Sequence, residues 1–108
     1  MARNKIEKKI NLHNAEISEC TLIGVNLVDV DCTRLQAVRT DFSTSKMKNA
    51  IFIDSTLYKA NFSKCDCRNV NFSDCDLTCC DFSDADLRGA IFENAVTYGM
   101  ITDGAKRD

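Results

Sequence analysis

The 108-residue sequence has no tryptophan, no proline, four glycines and a single histidine. So few glycines leave no glycine-rich phosphate loop. One histidine, His13, leaves no second histidine for a metal or acid–base pair. No apolar run approaches the ~18 residues a membrane span needs. The basic segment Met1 to Lys9 is followed by no apolar stretch of the kind that makes a secretory signal. The formal net charge of −2 is too small to point to nucleic acid or to an acidic partner by itself. Cysteine, by contrast, is abundant. Seven occur, an odd number, and five of them lie between Cys65 and Cys80. Without a signal peptide, this favours reduced thiols in a cytoplasm over a disulfide framework.

What the sequence does contain is a period of five. Every fifth residue from Leu12 to Phe92 is apolar, seventeen in succession, and all six phenylalanines fall on this one position. We call it the centre; the frame fails at Thr97. Two residues before each centre is a small or apolar residue, as at Ala50, Ala60, Cys65, Val70, Cys75 and Cys80. Between the two stands mostly Asn or Asp, as at Asn11, Asp41, Asn61, Asp66, Asn71 and Asp81. After the centre comes often Ser or Thr, as at Ser43, Ser63, Ser73 and Ser83.

Residues two apart on a strand share a face. The small residue and the centre therefore point inward together, and the Asn or Asp between them points outward. The remaining residues suffice for a corner but not for a loop. Asn, Asp and Ser bond readily to nearby backbone at tight turns, which suits their positions. A helix needs a period of 3.6 and a flat strand a period of two, and five fits neither. From residue 42 to 92 the centres alternate between Phe and Met, Leu or Cys. An even number of pentads per coil keeps one residue type in each column, so four pentads and a 20-residue coil are expected. Phe42, Phe62 and Phe82 then stack in one column, and Phe52, Phe72 and Phe92 in the opposite one.

Ala60-Asn61-Phe62-Ser63-Lys64, Val70-Asn71-Phe72-Ser73-Asp74 and Ala85-Asp86-Leu87-Arg88-Gly89 resemble the A(D/N)LXX unit of the pentapeptide-repeat family. The resemblance covers roughly residues 10–99. It implies an all-β fold, a right-handed quadrilateral parallel β-helix, here of about 4.5 coils of 20 residues. Departures occur where Ile51, Ile91 and Val96 replace the outward Asn or Asp, and where Cys32 and Ala37 make small centres. The expected organisation is an N-terminal cap segment over 1–9, a solenoid over 10–99 and a C-terminal tail over 100–108. Solenoid ends are exposed edges. An end-to-end homodimer would cover the C-terminal one.

Nothing in the frame assembles a catalytic group. His13 follows a centre and should face solvent with no placed partner, and a filled rod offers no pocket. The run Cys65-Asp66-Cys67 with Cys75, Cys79 and Cys80 suggests a zinc site, which needs four convergent ligands. The frame instead spreads the inward cysteines over three faces, where each serves as a small hydrophobe. Cys79 alone points outward. No catalytic, cofactor or metal residue is therefore expected, and no cofactor.

Function is left to the outer columns. Val38, Tyr58, Thr78 and Tyr98 share one column, and Ile51, Ile53 and Ile91 are expected to cluster on the adjacent face. The candidate partner surface is thus Val38, Tyr58, Tyr98, Ile51, Ile53 and Ile91. Lys48, Arg68 and Arg88 stack beside Asp66 and Asp86 as a candidate ion ladder. A candidate acidic patch comprises Asp74, Asp76, Asp81, Asp84, Asp86 and Glu93, which face only Arg88 within residues 71–95, a local −5. The leading expectation is a non-catalytic, cytoplasmic interaction or scaffold module with an unidentified protein partner, no direct nucleic-acid binding and no membrane. The alternative, implied by the resemblance, is a DNA-mimicking regulator of a type II topoisomerase such as DNA gyrase. B-DNA carries one negative charge per ~1.7 Å, so a rod roughly 20 Å tall would need on the order of a dozen.

Overall fold

The computed structural model describes residues 10–108; the expected cap over 1–9 lies outside the described residues. Every bridge is parallel and joins residues twenty apart, from Asn11 with Asp31 to Asp86 with Lys106. Twenty residues is four pentads. The bridging residue is always the outward one between the small residue and the centre, so each pentad contributes one bridge rather than a strand of ordinary length. The chain is a β-solenoid.

Three backbone hydrogen bonds per pentad tie one coil to its neighbours. Phe62 N–H donates to Asp81 C=O at 2.7 Å, Lys64 N–H to Ser83 C=O at 2.9 Å, and Asn61 N–H reaches back to Thr40 C=O at 2.9 Å. A fourth closes the corner, from Cys65 N–H to Phe62 C=O at 3.2 Å. The third residue of every corner from Asn14 to Gly104 has positive φ, between 57° and 74°. That is the mark of a type II turn. All four glycines occupy this position, and Asn and Asp, which tolerate it best after Gly, fill eight more.

The outward Asn or Asp has a second task. Its Oδ1 accepts the backbone N–H two residues on, as from Asn61 to Ser63 at 2.9 Å and from Asp81 to Ser83 at 2.8 Å. This bond satisfies a corner donor that no neighbouring coil reaches, which is the physical reason for the Asn/Asp preference.

The interior is filled by side chains. Phe42, Phe52, Phe62, Phe72 and Phe82 are wholly buried. Phe42–Phe62 and Phe62–Phe82 stack with centroids 5.1 and 4.9 Å apart, and Phe52–Phe72 and Phe72–Phe92 at 5.4 Å. Across the axis the two columns meet edge to face, as Phe62 meets Phe72 at 5.6 Å. Both arrangements suit the ring quadrupole.

The pairing continues past residue 99, the expected end of the solenoid. Ile101 bridges Asp81 and Lys106 bridges Asp86, so residues 100–106 belong to the last coil rather than to a tail. Its centres turn polar: Thr97, Thr102 and Arg107. The Arg107 guanidinium lies over the Phe92 ring at 5.8 Å, and Asp108 Oδ2 accepts Gly89 N–H at 2.8 Å. At the other end the first coil remains apolar. Leu12, Ile17 and Leu22 are half-buried and Ile10 is exposed.

Candidate interaction surface

The small inward position proves to be more than a place for a hydrophobe. Ser55 Oγ donates to Cys32 C=O at 2.8 Å and accepts Leu35 N–H at 3.0 Å. Thr40 Oγ1 donates to Ile17 C=O at 2.7 Å. Three thiols make the same contact: Cys65 Sγ to Phe42 C=O, Cys75 Sγ to Phe52 C=O and Cys80 Sγ to Leu57 C=O, at 3.0, 2.7 and 2.8 Å. The cysteines are thus weak donors standing in for Ser or Thr, a role their packing alone did not suggest. Burial pushes the thiols of Cys32, Cys75 and Cys80 up to about 12, and the hydrogen bond with the Cys65 side chain, followed by burial, pushes that of Cys67 well upward, so these four stay protonated at neutral pH. Among the described residues no three His, Cys, Asp or Glu side chains converge as ligands of one ion. Nor is Cys79 alone accessible. It is half-buried, whereas Cys20, inward by register, is exposed because no described coil lies beyond it.

His13 does find partners, contrary to expectation, and they come from the next coil. Its Nδ1 lies 3.4 Å from Asp31 Oδ2, and its Nε2 2.9 Å from an Arg34 nitrogen. The Thr33 hydroxyl and N–H both bond to Asp31 and hold its carboxyl below the usual range. The group sits at the surface of the first two described coils.

The outer columns can be read directly from the twenty-residue pairing. Ile51 and Ile91, 39% and 45% exposed, do not touch, because Asn71 bridges both and lies between them. Ile53 is half-buried at the corner beyond. The expected isoleucine cluster is therefore two separate spots. In the other column Val38 and Tyr58 stand on successive coils, whereas Thr78 lies between Tyr58 and Tyr98. Val38 and Tyr58 are half-buried and Tyr98 is 80% exposed. Arg39 and Lys59, stacked at the adjoining corner, both lie over the Tyr58 ring, at 5.8 and 5.4 Å.

The acidic residues do not form a stripe along the rod. Asp76, Asp81 and Asp86 bridge on three different faces, and Asp74, Asp84 and Glu93 occupy corners. The run therefore wraps the circumference. Charge as a whole is arranged in bands across the axis. Residues 11–30 carry three acidic side chains and no Lys or Arg, net −3. Residues 31–50 have four basic against two acidic, net +2, and residues 51–70 three against two, net +1. Residues 71–90 have one basic against five acidic, net −4. The ion ladder is made of pairs within each coil: Arg68 with Asp66 at 2.7 Å and Arg88 with Asp86 at 2.6 Å. Lys48 makes no ion pair among the described residues, since Lys46 stands where the carboxylate would be. The Arg88 guanidinium holds the Asp86 carboxyl down to about 2, and Arg68 lowers Asp66 likewise. A shallow hollow lies beside this ladder, lined by Arg68, Asn69, Arg88, Gly89 and Asp108.

A filled axis, corners of one fixed type and all sequence variety on the outside define a repeat scaffold. A family model described as the pentapeptide repeat region matches residues 9–94, and the chain belongs to that family. Its fold is similar to that of a pentapeptide repeat protein from the thylakoid lumen of Arabidopsis thaliana, with 26% identity and a TM-score of 0.84 over 87% of this chain and 66% of that one. A pentapeptide repeat protein of the cyanobacterium Cyanothece 51142 matches at 21% identity and a TM-score of 0.47, covering 86% of this chain and 87% of its own. QnrB1, a plasmid-mediated fluoroquinolone resistance protein, matches at 17% and 0.43, covering 91% of this chain and 67% of its own. This chain thus spans slightly less than two thirds of the Arabidopsis protein. No curated protein matches it.

Proposed function

We propose that the chain is a non-catalytic protein-interaction or scaffold module that works through its outer columns. The filled interior carries this reading: five phenylalanines, wholly buried, occupy the axis of the described coils where a substrate would otherwise enter. We further read the coil as a right-handed square of four pentads, which the twenty-residue bridges support. Seven free thiols support a reducing, cytoplasmic setting. An end-to-end homodimer through a solenoid end belongs to the same reading.

Mimicry of DNA before a topoisomerase is the second reading, and the charge pattern weighs against it. A duplex presents negative charge continuously along its axis. Here a positive band interrupts the acidic ones. Affinity capture from the native host, read by mass spectrometry, tests the leading proposal. A single protein retained by the wild type and lost on Tyr98→Ala with Tyr58→Ala supports it. Retention of nothing beyond a control solenoid overturns it. Protection of a gyrase supercoiling reaction from a quinolone would instead favour the mimic.

A further inference from the structure

The face carrying Tyr58 holds two cations over one aromatic ring. Arg39 and Lys59 occupy the same corner of successive coils, and the Arg39 N–H donates to Tyr58 C=O at 2.8 Å. Their charged groups share one aromatic ring, at 5.8 and 5.4 Å from its centroid. Neither takes part in an ion pair among the described residues, whereas Arg68 and Arg88 each hold a carboxylate. The ring face attracts both cations and keeps them over it, but it does not neutralise them. Two like charges held side by side leave an unfavourable field that an incoming carboxylate would relieve. Val38, half-buried one coil away in the same column, adds apolar surface beside the ring.

The banding decides what kind of anion fits. The positive zone spans two coils, roughly 10 Å along the axis. Above and below it lie bands of −4 and −3. A duplex laid along the rod would run from the positive zone onto like charge. A short acidic peptide segment, about three extended residues long, stays within it.

We infer that the Arg39–Tyr58–Lys59 corner is the docking point for an acidic segment of the partner protein. This rests on the interaction reading above and names the chemistry of the partner. The two cations bind carboxylates, and Tyr58 with Val38 packs against the segment's apolar stems.

The test uses the whole chain with hexaglutamate as the probe, read by amide chemical shifts at low and moderate salt. The expected result is a set of shifts confined to residues near 38–39 and 58–59, weakened by salt. Arg39→Gln with Lys59→Gln should weaken binding about tenfold. Lys48→Gln, a free cation on the opposite side of the belt, should leave it unchanged. Arg39 and Lys59 are exposed and Lys48 is half-buried, and an unaltered spectrum elsewhere shows that both variants fold. Shifts spread over every lysine, equal loss with Lys48→Gln, or tighter binding of a duplex of matched charge would overturn the inference. A captured partner that the Arg39→Gln/Lys59→Gln variant retains in full would overturn this site while leaving the interaction reading standing.

Discussion

Replacing Phe62 by Ala should be the most damaging single truncation in the rod. Its ring lies 5.1 and 4.9 Å from Phe42 and Phe82 in its own column, and 5.9 and 5.6 Å from Phe52 and Phe72 across the axis. It is wholly buried in the middle coil, so no surface movement can fill the space. Truncating a buried Phe costs about 3–5 kcal/mol, and four lost ring contacts place this site at the upper end. Phe92 offers the control. It is half-buried, with Phe72 at 5.4 Å and Phe82 at 6.3 Å as its ring neighbours, and Phe92→Ala should cost about 1–2 kcal/mol. Phe62→Leu should cost about 1.5 kcal/mol at most, because Leu57 and Leu77 already fill centre positions in another column. Guanidinium unfolding followed by far-ultraviolet circular dichroism measures all three. Because each coil touches only its neighbours, the middle coil couples the two halves. Phe62→Ala should therefore also reduce the slope of the transition, as the halves begin to unfold separately. Equal midpoints for Phe62→Ala and Phe92→Ala would refute the argument.

Other outcomes follow from the corners and from the thiols. The carboxyls of Asp31, Asp66 and Asp86 are depressed in the folded chain, that of Asp86 to about 2, so their contribution is present above the unfolded value of about 3.9 and lost as pH falls through the lowered folded values. Asn at these three positions keeps the corner acceptor, as Asn61 and Asn71 do, and should flatten the acid limb of a stability–pH curve; an unchanged limb would contradict this. The thiols of Cys32, Cys75 and Cys80 are raised to about 12, so their contribution is complete below about pH 8.5 and lost as pH rises toward 12. Cys75→Ser preserves the bond to Phe52 C=O and should reduce that alkaline loss. A thiol reagent at neutral pH should label Cys20 first and Cys79 second, leaving the five buried cysteines until unfolding. Thr44, β-branched at φ 61°, sits where glycine is favoured, and Thr44→Gly should stabilise the rod by about 0.5–1 kcal/mol. Gly89→Ala should do the reverse, because φ is 74° and its Cβ would press into the Asn69 amide.

The register was legible because a solenoid's core is set by local alternation. Each pentad must put the same two positions inside, and five-residue periodicity records that choice along the chain. The Phe columns followed from it. One further signal was present and went unread. Gly24, Gly89, Gly99 and Gly104 all share the positive-φ corner, so the glycines alone carry the frame through residue 104. Apolar centres instead carry the frame only as far as Thr97, where the last described coil exchanges apolar centres for polar ones.

What the sequence by itself determined is the inside: which residues face the axis, how they stack, and why Asn or Asp guards each corner. Those follow from contacts within a pentad and its repetition. Only the tertiary structure decided what the outside presents, because residues twenty apart become neighbours and their pairing depends on side-chain reach. That is how His13 gains Asp31 and Arg34, how Ile51 and Ile91 are separated by Asn71, and how two cations meet over Tyr58. The same geometry turned a linear run of acidic residues into a band around the rod, since one coil carries the chain past every face before it returns.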